Sequence, residues 1–217
     1  MSVTSIDSVK AQAPAAGETR QRILEAAMRC FSDSGFHGAS MQQICTAANM
    51  SPGGVYRYFV SKDAIIEAIV QHVHRRNADY FEQMAARGAT LQSFFDVGFT
   101  CLRDLTQGPE CGLFCEVLAE AQRNPRIRTA FEAKYSDTRV MLRTVLAQMQ
   151  ANGVIERTLD VDVVSIMLMA IGDGLLVRTR LDPDATIETL WPGLKDLVLR
   201  MLRPTSADPI QPTISQP

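Results

Sequence analysis

No apolar run in this 217-residue chain reaches the roughly 18 residues that a membrane-crossing helix needs. The opening stretch, MSVTSIDSVKAQAPAAGE, has neither a basic n-region nor an apolar h-region. It does not read as a secretory signal, and a cytoplasmic protein is expected. Convincing period-two alternation and internal repeats are both missing, which argues against strands and solenoids. Cysteine is sparse and odd in number: Cys30, Cys45, Cys101, Cys111 and Cys115. Cys30 and Cys45 fall at apolar helix positions, which suits reduced, buried thiols better than a disulfide framework. Cys111 and Cys115 stand four apart, but no His or Cys nearby completes a metal-ligand set. They read as core or pocket-lining thiols, with a redox switch as the alternative. There is no Gly-rich phosphate loop, no recognisable pair of catalytic acids and no nucleophile beside a base. The three histidines, His37, His72 and His74, lie in or near the N-terminal half. Neither an enzyme nor a cofactor or metal is expected. A marked excess of either charge is lacking too: the net charge is −2, with +1 over residues 18–80 and −3 beyond them. The asymmetry has the sign a nucleic-acid binder needs, but it is slight.

What is present is apolar residue at helical spacing. At 46% hydrophobic the chain has material for a packed core. Periodicity and punctuation predict an all-α fold of about nine helices. The first runs from about Thr19 to Ser34 on Ile23, Leu24, Ala27, Met28 and Phe31, and Gly35 ends it. Ser40, Ser51 and Ser61 each cap a following helix, the first with Gln43 in a capping-box pattern and the second with Pro52 at its first position. Further helices are expected over about 90–106, 111–123, 125–151, 161–180 and 184–203, the last kinked or interrupted at Pro192. Residues 1–17 and 204–217 are rich in small, polar and proline residues and read as a disordered arm and tail. Residues 18–65 form the expected small domain and 66–203 the larger one.

The third helix is the most telling. It is very short and carries Gly53, Gly54, Tyr56, Arg57 and Tyr58. It cannot bury a core of its own, but it suits a probe held out on a helix-turn-helix toward a DNA groove. Two glycines in one short helix cost on the order of 1 kcal/mol each; close approach to DNA or the shape of the turn accounts for them. Tyr56 and Tyr58 fall on different sides of the helix, with DNA contact or packing on the first helix as their uses. Arg57 could read a guanine edge, neutralise phosphate or face solvent. Ser40, Gln42 and Gln43 would meet backbone phosphate, though capping alone also explains Ser40. His37 suits either a phosphate contact or an exposed loop. Val55 and Phe59 are expected in the core.

The stretch ETRQRILEAAMRCFSDSGFHGASMQQICTAANMSPGGVYRYFVSKDAII resembles the DNA-binding domain of the TetR/AcrR family of bacterial transcriptional regulators. The shared features are the TRxxIL-AA helix, the turn from Gly35 to Ser40, the block from Ser51 to Phe59 and the SKD-x-I opening of the fourth helix. The tracts EVLAEAQRNPRIR and IGDGLLVRTRLDPD are similar to the C-terminal domain of the subgroup related to the betaine-responsive repressor BetI. The resemblance implies a homodimer that binds an inverted-repeat operator in double-stranded DNA and is released by a small effector. It also implies DNA contact by Ser51, Tyr56 and Tyr58 and a phosphate contact by Lys62. An effector-free DNA-packing protein and a helical enzyme are the readings from other classes.

For the larger domain, Phe95, Phe99, Leu102, Phe114, Leu118, Tyr135, Met141, Met169 and Trp191 are the candidate walls of an apolar effector pocket. The segment 161–177 is apolar nearly all round, with Gly172 and Gly174 allowing close approach, so the last two helices (about 160–203) are the expected dimer interface. Asp173 needs a partner in such a helix: an arginine across the dimer, a broken turn or a cationic ligand. Glu116 and Glu120 read as a solvated face rather than pocket lining.

Overall fold

The computed structural model describes residues 16–108, 110–182 and 184–205. Among them are nine helices: α1 (Ala16–Gly38), α2 (Met41–Ala47), α3 (Pro52–Tyr56), α4 (Lys62–Ala86), α5 (Leu91–Gln107), α6 (Glu110–Arg123), α7 (Pro125–Ala151), α8 (Val161–Leu181) and α9 (Ile187–Leu202). The fold is all-α, as expected. The one β-type pairing among these residues is an isolated bridge between Ile155 and Pro204. None of the helices is long and apolar enough to cross a membrane.

Local chemistry sets the boundaries. Gly35 takes φ +70, a left-handed conformation open to glycine, and breaks α1 there. Ser40 and Gln43 close a reciprocal capping box on α2. Ser51 and Ser61 accept from Gly54 N and Ala64 N at the starts of α3 and α4. Asn124 receives Arg126 N and Ile127 N, with Pro125 at the first position of α7. Asp160 caps α8 in the same manner. Two boundaries differ from expectation. The last helix begins at Ile187 rather than 184, because Thr186 caps it by accepting from Thr189 N. It then stays helical through Pro192, whose missing N–H forgoes one ladder bond, to the carbonyl of exposed Glu188. The expected arm and tail lie mostly outside the described residues. At their inner edges, Ala16 and Gly17 belong to α1, and Thr205 N donates to Val154 O at 3.2 Å.

Two apolar cores form. The first joins α1, α2, α3 and the start of α4 through Ile23, Leu24, Phe31, Ile44, Val55, Phe59 and Ile65. It also takes in Leu113, Val117 and Ala121 from α6 and Ile127 from α7. The second core joins the far half of α4 (Tyr80, Met84) to α5, α7, α8 and α9 through Phe94, Phe95, Leu146, Met149, Val164 and Leu202. The helix α4 therefore belongs to both, and the first core extends well beyond residue 65.

Candidate nucleic-acid interface and internal cavity

At the tip of the first core, α3 is sunk on one side by Val55, which is fully buried, and by Phe59 just beyond it. Its other side is open. Gly53 would meet nothing within 4 Å if it carried a Cβ, and Tyr56 is 48% exposed with Arg57 exposed beside it. The two glycines differ: a Cβ at Gly54 would lie 3.2 Å from Ser51 Oγ and 3.3 Å from Met50 Cε, so Gly54 serves the local fit. Tyr58 is half-buried against the first core, with the Arg57 guanidinium 5.2 Å from its ring centre. Ser40, Gln42 and Gln43 are exposed on the same end, with Ser40 and Gln43 engaged in the cap. Lys62 Nζ donates to Phe36 O (2.7 Å) and Ala39 O (2.8 Å) and stands 4.7 Å from the centre of the Phe36 ring. That ammonium anchors the α1–α2 turn to α4.

The same turn is gripped from the other side by α6. Glu116 Oε2 accepts from Phe36 N at 2.9 Å, and Glu120 Oε2 accepts from His37 Nε2 at 2.9 Å. Glu120 is only 5% exposed. The expected solvated face of α6 is thus an interface, because residues 112, 116 and 120, one turn apart, meet α1 and its turn. Gly112 is part of the fit: a Cβ there would lie 2.1 Å from Ser32 Oγ. His37 is an exposed turn residue, but it is tied to Glu120.

Behind α6 lies a cavity of about 260 Å³. Its walls come from α4 (Val70, Val73, His74, Asn77, Phe81), α5 (Cys101, Leu102, Leu105), α6 (Leu113, Phe114, Val117), α7 (Phe131, Lys134, Tyr135, Thr138) and α8 (Met169, Asp173, Leu176). Of the nine candidate wall residues, Leu102, Phe114, Tyr135 and Met169 line it. The other five do not. Phe95, Phe99 and Trp191 pack on one another between α5 and α9, with ring centres 6.2 Å (Phe95–Trp191) and 5.1 Å (Phe99–Trp191) apart. Leu118 and Met141 each sit one residue from a wall residue (Val117 and Leu142) and are turned away by the helical rotation. The whole α4 wall was missed. Its signal was a continuation of the Ile69–Val73 stripe through His74, Asn77 and Phe81, with polar groups at apolar spacing.

Polar chemistry is concentrated at a few points. Asp173 accepts from Tyr135 Oη at 2.7 Å within an unbroken α8; burial raises its carboxyl above the ordinary range, against the lowering effect of that bond. Burial pushes the Cys101 thiol up to about 12. It also pushes the Tyr80 hydroxyl up to about 12, helped by the 2.5 Å bond to Asp104. Cys111 is buried and donates to Leu176 O at 3.3 Å, whereas Cys115 is exposed; both are free thiols. On the far side of α8, Val163, Ile166, Met167 and Leu181 are 51%, 43%, 46% and 72% exposed. Gly174 opens outward there with nothing within 4 Å of a Cβ, while Gly172 faces the cavity.

A short exposed helix on a capped three-helix head, tied to a helical body with an internal cavity, defines a helix-turn-helix DNA-binding regulator of the ligand-responsive kind. Residues 23–69 match the family "Bacterial regulatory proteins, tetR family", and residues 89–202 match "BetI-type transcriptional repressor, C-terminal". The chain belongs to the TetR family of bacterial transcriptional regulators. It is similar to the HTH-type transcriptional regulator UidR of Escherichia coli K12, with 28% identity over 83% of this chain and 91% of that protein. It is also similar to the HTH-type transcriptional repressor AcnR of Corynebacterium efficiens, with 26% identity over 74% of this chain and 81% of that one. Among solved structures, Salmonella enterica GusR superposes with a TM-score of 0.72 at 29% identity, covering 88% of this chain and 98% of its own. The protein is a transcriptional regulator and not an enzyme.

Proposed function

We propose that the protein is a cytoplasmic repressor that binds an inverted-repeat operator as a homodimer and leaves it when a small, largely apolar effector fills the cavity. Each subunit lays α3 in a major groove, where Gly53 admits close approach and Tyr56, Arg57 and Tyr58 reach bases or phosphates. Ser40, Gln42, Gln43 and Ser51 hold the register along the backbone through side chains or amides, while Gly54 shapes the start of α3 and Lys62 sets the register indirectly by anchoring the α1–α2 turn. Pairing runs through α8 and α9, where the exposed stripe of Val163, Ile166 and Met167 finds its cover.

One observation carries the reading: α3 leaves Gly53, Tyr56 and Arg57 uncovered while the opposite face is fully buried. Effector control is supported by shared walls. The helices α4 and α6 line the cavity and also hold the α1–α2 turn, through Lys62 on one side and Glu116 and Glu120 on the other. A ligand that separates those walls changes the tilt of both heads. Gel-shift titration against the DNA upstream of the protein's own gene, with selection from random duplexes, tests it. Palindromic sites bound tightly at low salt and lost steeply as salt rises are expected. Indifference to every palindrome would refute it.

A further inference from the structure

The apolar stripe of α1 ends on a charge. Leu24, Ala27 and Phe31 are buried on the face that packs into the first core, and one turn before Leu24 the same face carries Arg20. The Arg20 guanidinium lies over the ring of Phe59, 5.0 Å from its centre. Phe59 is 3% exposed and its amide donates to Val55 O at 3.0 Å, so the ring sits directly behind α3. The chain on either side of it is open: Tyr56 and Arg57 are exposed before it, and Val60 is 77% exposed after it. Half-buried Arg20 therefore stands at the margin of the exposed α3 segment. In the larger domain, Arg139 and Arg143 are spent on Asp162, and Arg200 on Asp196. Among the described residues no carboxylate pairs with Arg20. A guanidinium laid on a ring uses its flat face and keeps its N–H edge for another partner. Arg57 lies on Tyr58 in the same manner, 5.2 Å from the ring centre.

We infer that Arg20 is a further DNA contact, whose guanidinium edge takes a backbone phosphate of the strand that passes the base of α3. The inference rests on α3 entering the major groove. The partner is a phosphate rather than a base, because α3 itself occupies the groove floor while phosphates line its rim. Packing on Phe59 holds the charge in place before DNA arrives, so little side-chain freedom is lost on contact. A leucine at this position would cover Phe59 equally well; the charge is what the packing does not require. Such a contact steadies the head on any duplex and carries no sequence information.

The test is fluorescence-anisotropy titration of the full-length protein with two duplexes, from about 50 to 200 mM KCl. One is a palindrome selected from random duplexes; the other has the same length and base composition without the palindrome. Each phosphate contact contributes about 0.9 to the slope of log affinity against log salt, so losing one per subunit of a dimer lowers the slope by about 1.8. Across that fourfold rise in salt the parent is expected to lose about tenfold more affinity than Arg20→Met, on both duplexes alike. Methionine keeps an unbranched stem over Phe59 and drops the charge, and Arg20→Lys is expected to keep the parent's slope. Arg22 is exposed on the opposite side of α1, so Arg22→Met removes the same charge and is expected to leave the slope unchanged. An unchanged slope in Arg20→Met overturns the inference and leaves Arg20 as a cover for Phe59. An equal fall in Arg22→Met overturns it too, since net charge alone then accounts for the effect. A loss confined to the palindrome also overturns it, because a phosphate contact is blind to sequence. If Arg20→Met melts far below the parent, Arg20→Gln takes its place under the same criteria. A parent protein that binds neither duplex overturns the groove reading together with the inference.

Discussion

Replacing Glu116 by alanine isolates the contact between α6 and the DNA-reading head. Because Gly35 leaves the helical path at φ +70, the Phe36 amide falls out of the α1 ladder and takes the Glu116 carboxylate at 2.9 Å instead. Phe36 is 5% exposed, so the amide has little water to turn to. A hydrogen bond to a charged acceptor contributes about 1.5–3 kcal/mol, and stranding its buried donor costs a similar amount. At about 2 kcal/mol, the Phe36 amide of Glu116→Ala exchanges with solvent roughly 30-fold faster than in the parent protein. Glu116→Gln keeps an acceptor at the same reach and is expected to recover at least half of the loss in free energy. The assay is amide hydrogen exchange on the intact protein, resolved at residues 35–39. Amides deep in the second core, such as those of Leu146 and Met149, serve as the internal standard because they share no contact with Glu116. Exchange at Phe36 within threefold of the parent, or alanine and glutamine variants that behave alike, would refute the claim that this carboxylate clasps the turn.

Tyr56→Ala should weaken operator binding at least tenfold in a gel shift while leaving the melting temperature within a few degrees, because the side chain is 48% exposed and stabilises little; a large drop in melting temperature would assign the ring to the core. Ile166→Glu combined with Met167→Lys should yield a monomer at micromolar concentration by analytical ultracentrifugation, since both lie on the exposed stripe of α8; an undiminished dimer would remove α8 from the interface. Cys101 should resist iodoacetamide at pH 8 while exposed Cys115 is alkylated. With its pKa raised to about 12, its thiolate fraction there is about one in ten thousand. Peptide mass spectrometry reads both sites, and equal labelling would contradict the raised pKa of the Cys101 thiol.

The elements were legible where one local contact decides them. Ser40 with Gln43, Asn124 before Pro125 and Asp160 before the apolar run each announce a helix start, and the structure closes each cap as read. Val55 and Phe59 were legible as core because a five-residue helix has room for only one inward side. The cavity was less so. The α5 stripe of Phe95, Phe99 and Leu102 is apolar toward α9 and toward the cavity alike, and periodicity says that a helix is buried without saying by which neighbour. Glu116 and Glu120 misled for a related reason. Their partners, Phe36 and His37, lie 80 and 83 residues earlier, a separation over which spacing patterns carry no signal. His74 and Asn77 were visible only as polar residues at apolar spacing, a pattern that an exposed helix edge produces equally well.

The first core borrows Leu113, Val117, Ala121 and Ile127 from helices that come after the whole head in the chain. During synthesis the N-terminal helices therefore leave the ribosome with a socket still unfilled, and they must wait some sixty residues for its plug. The same debt constrains engineering. A chimera spliced near residue 65 inherits a foreign plug, so exchanging operator preference between relatives requires transplanting the matching side of α6 along with the head.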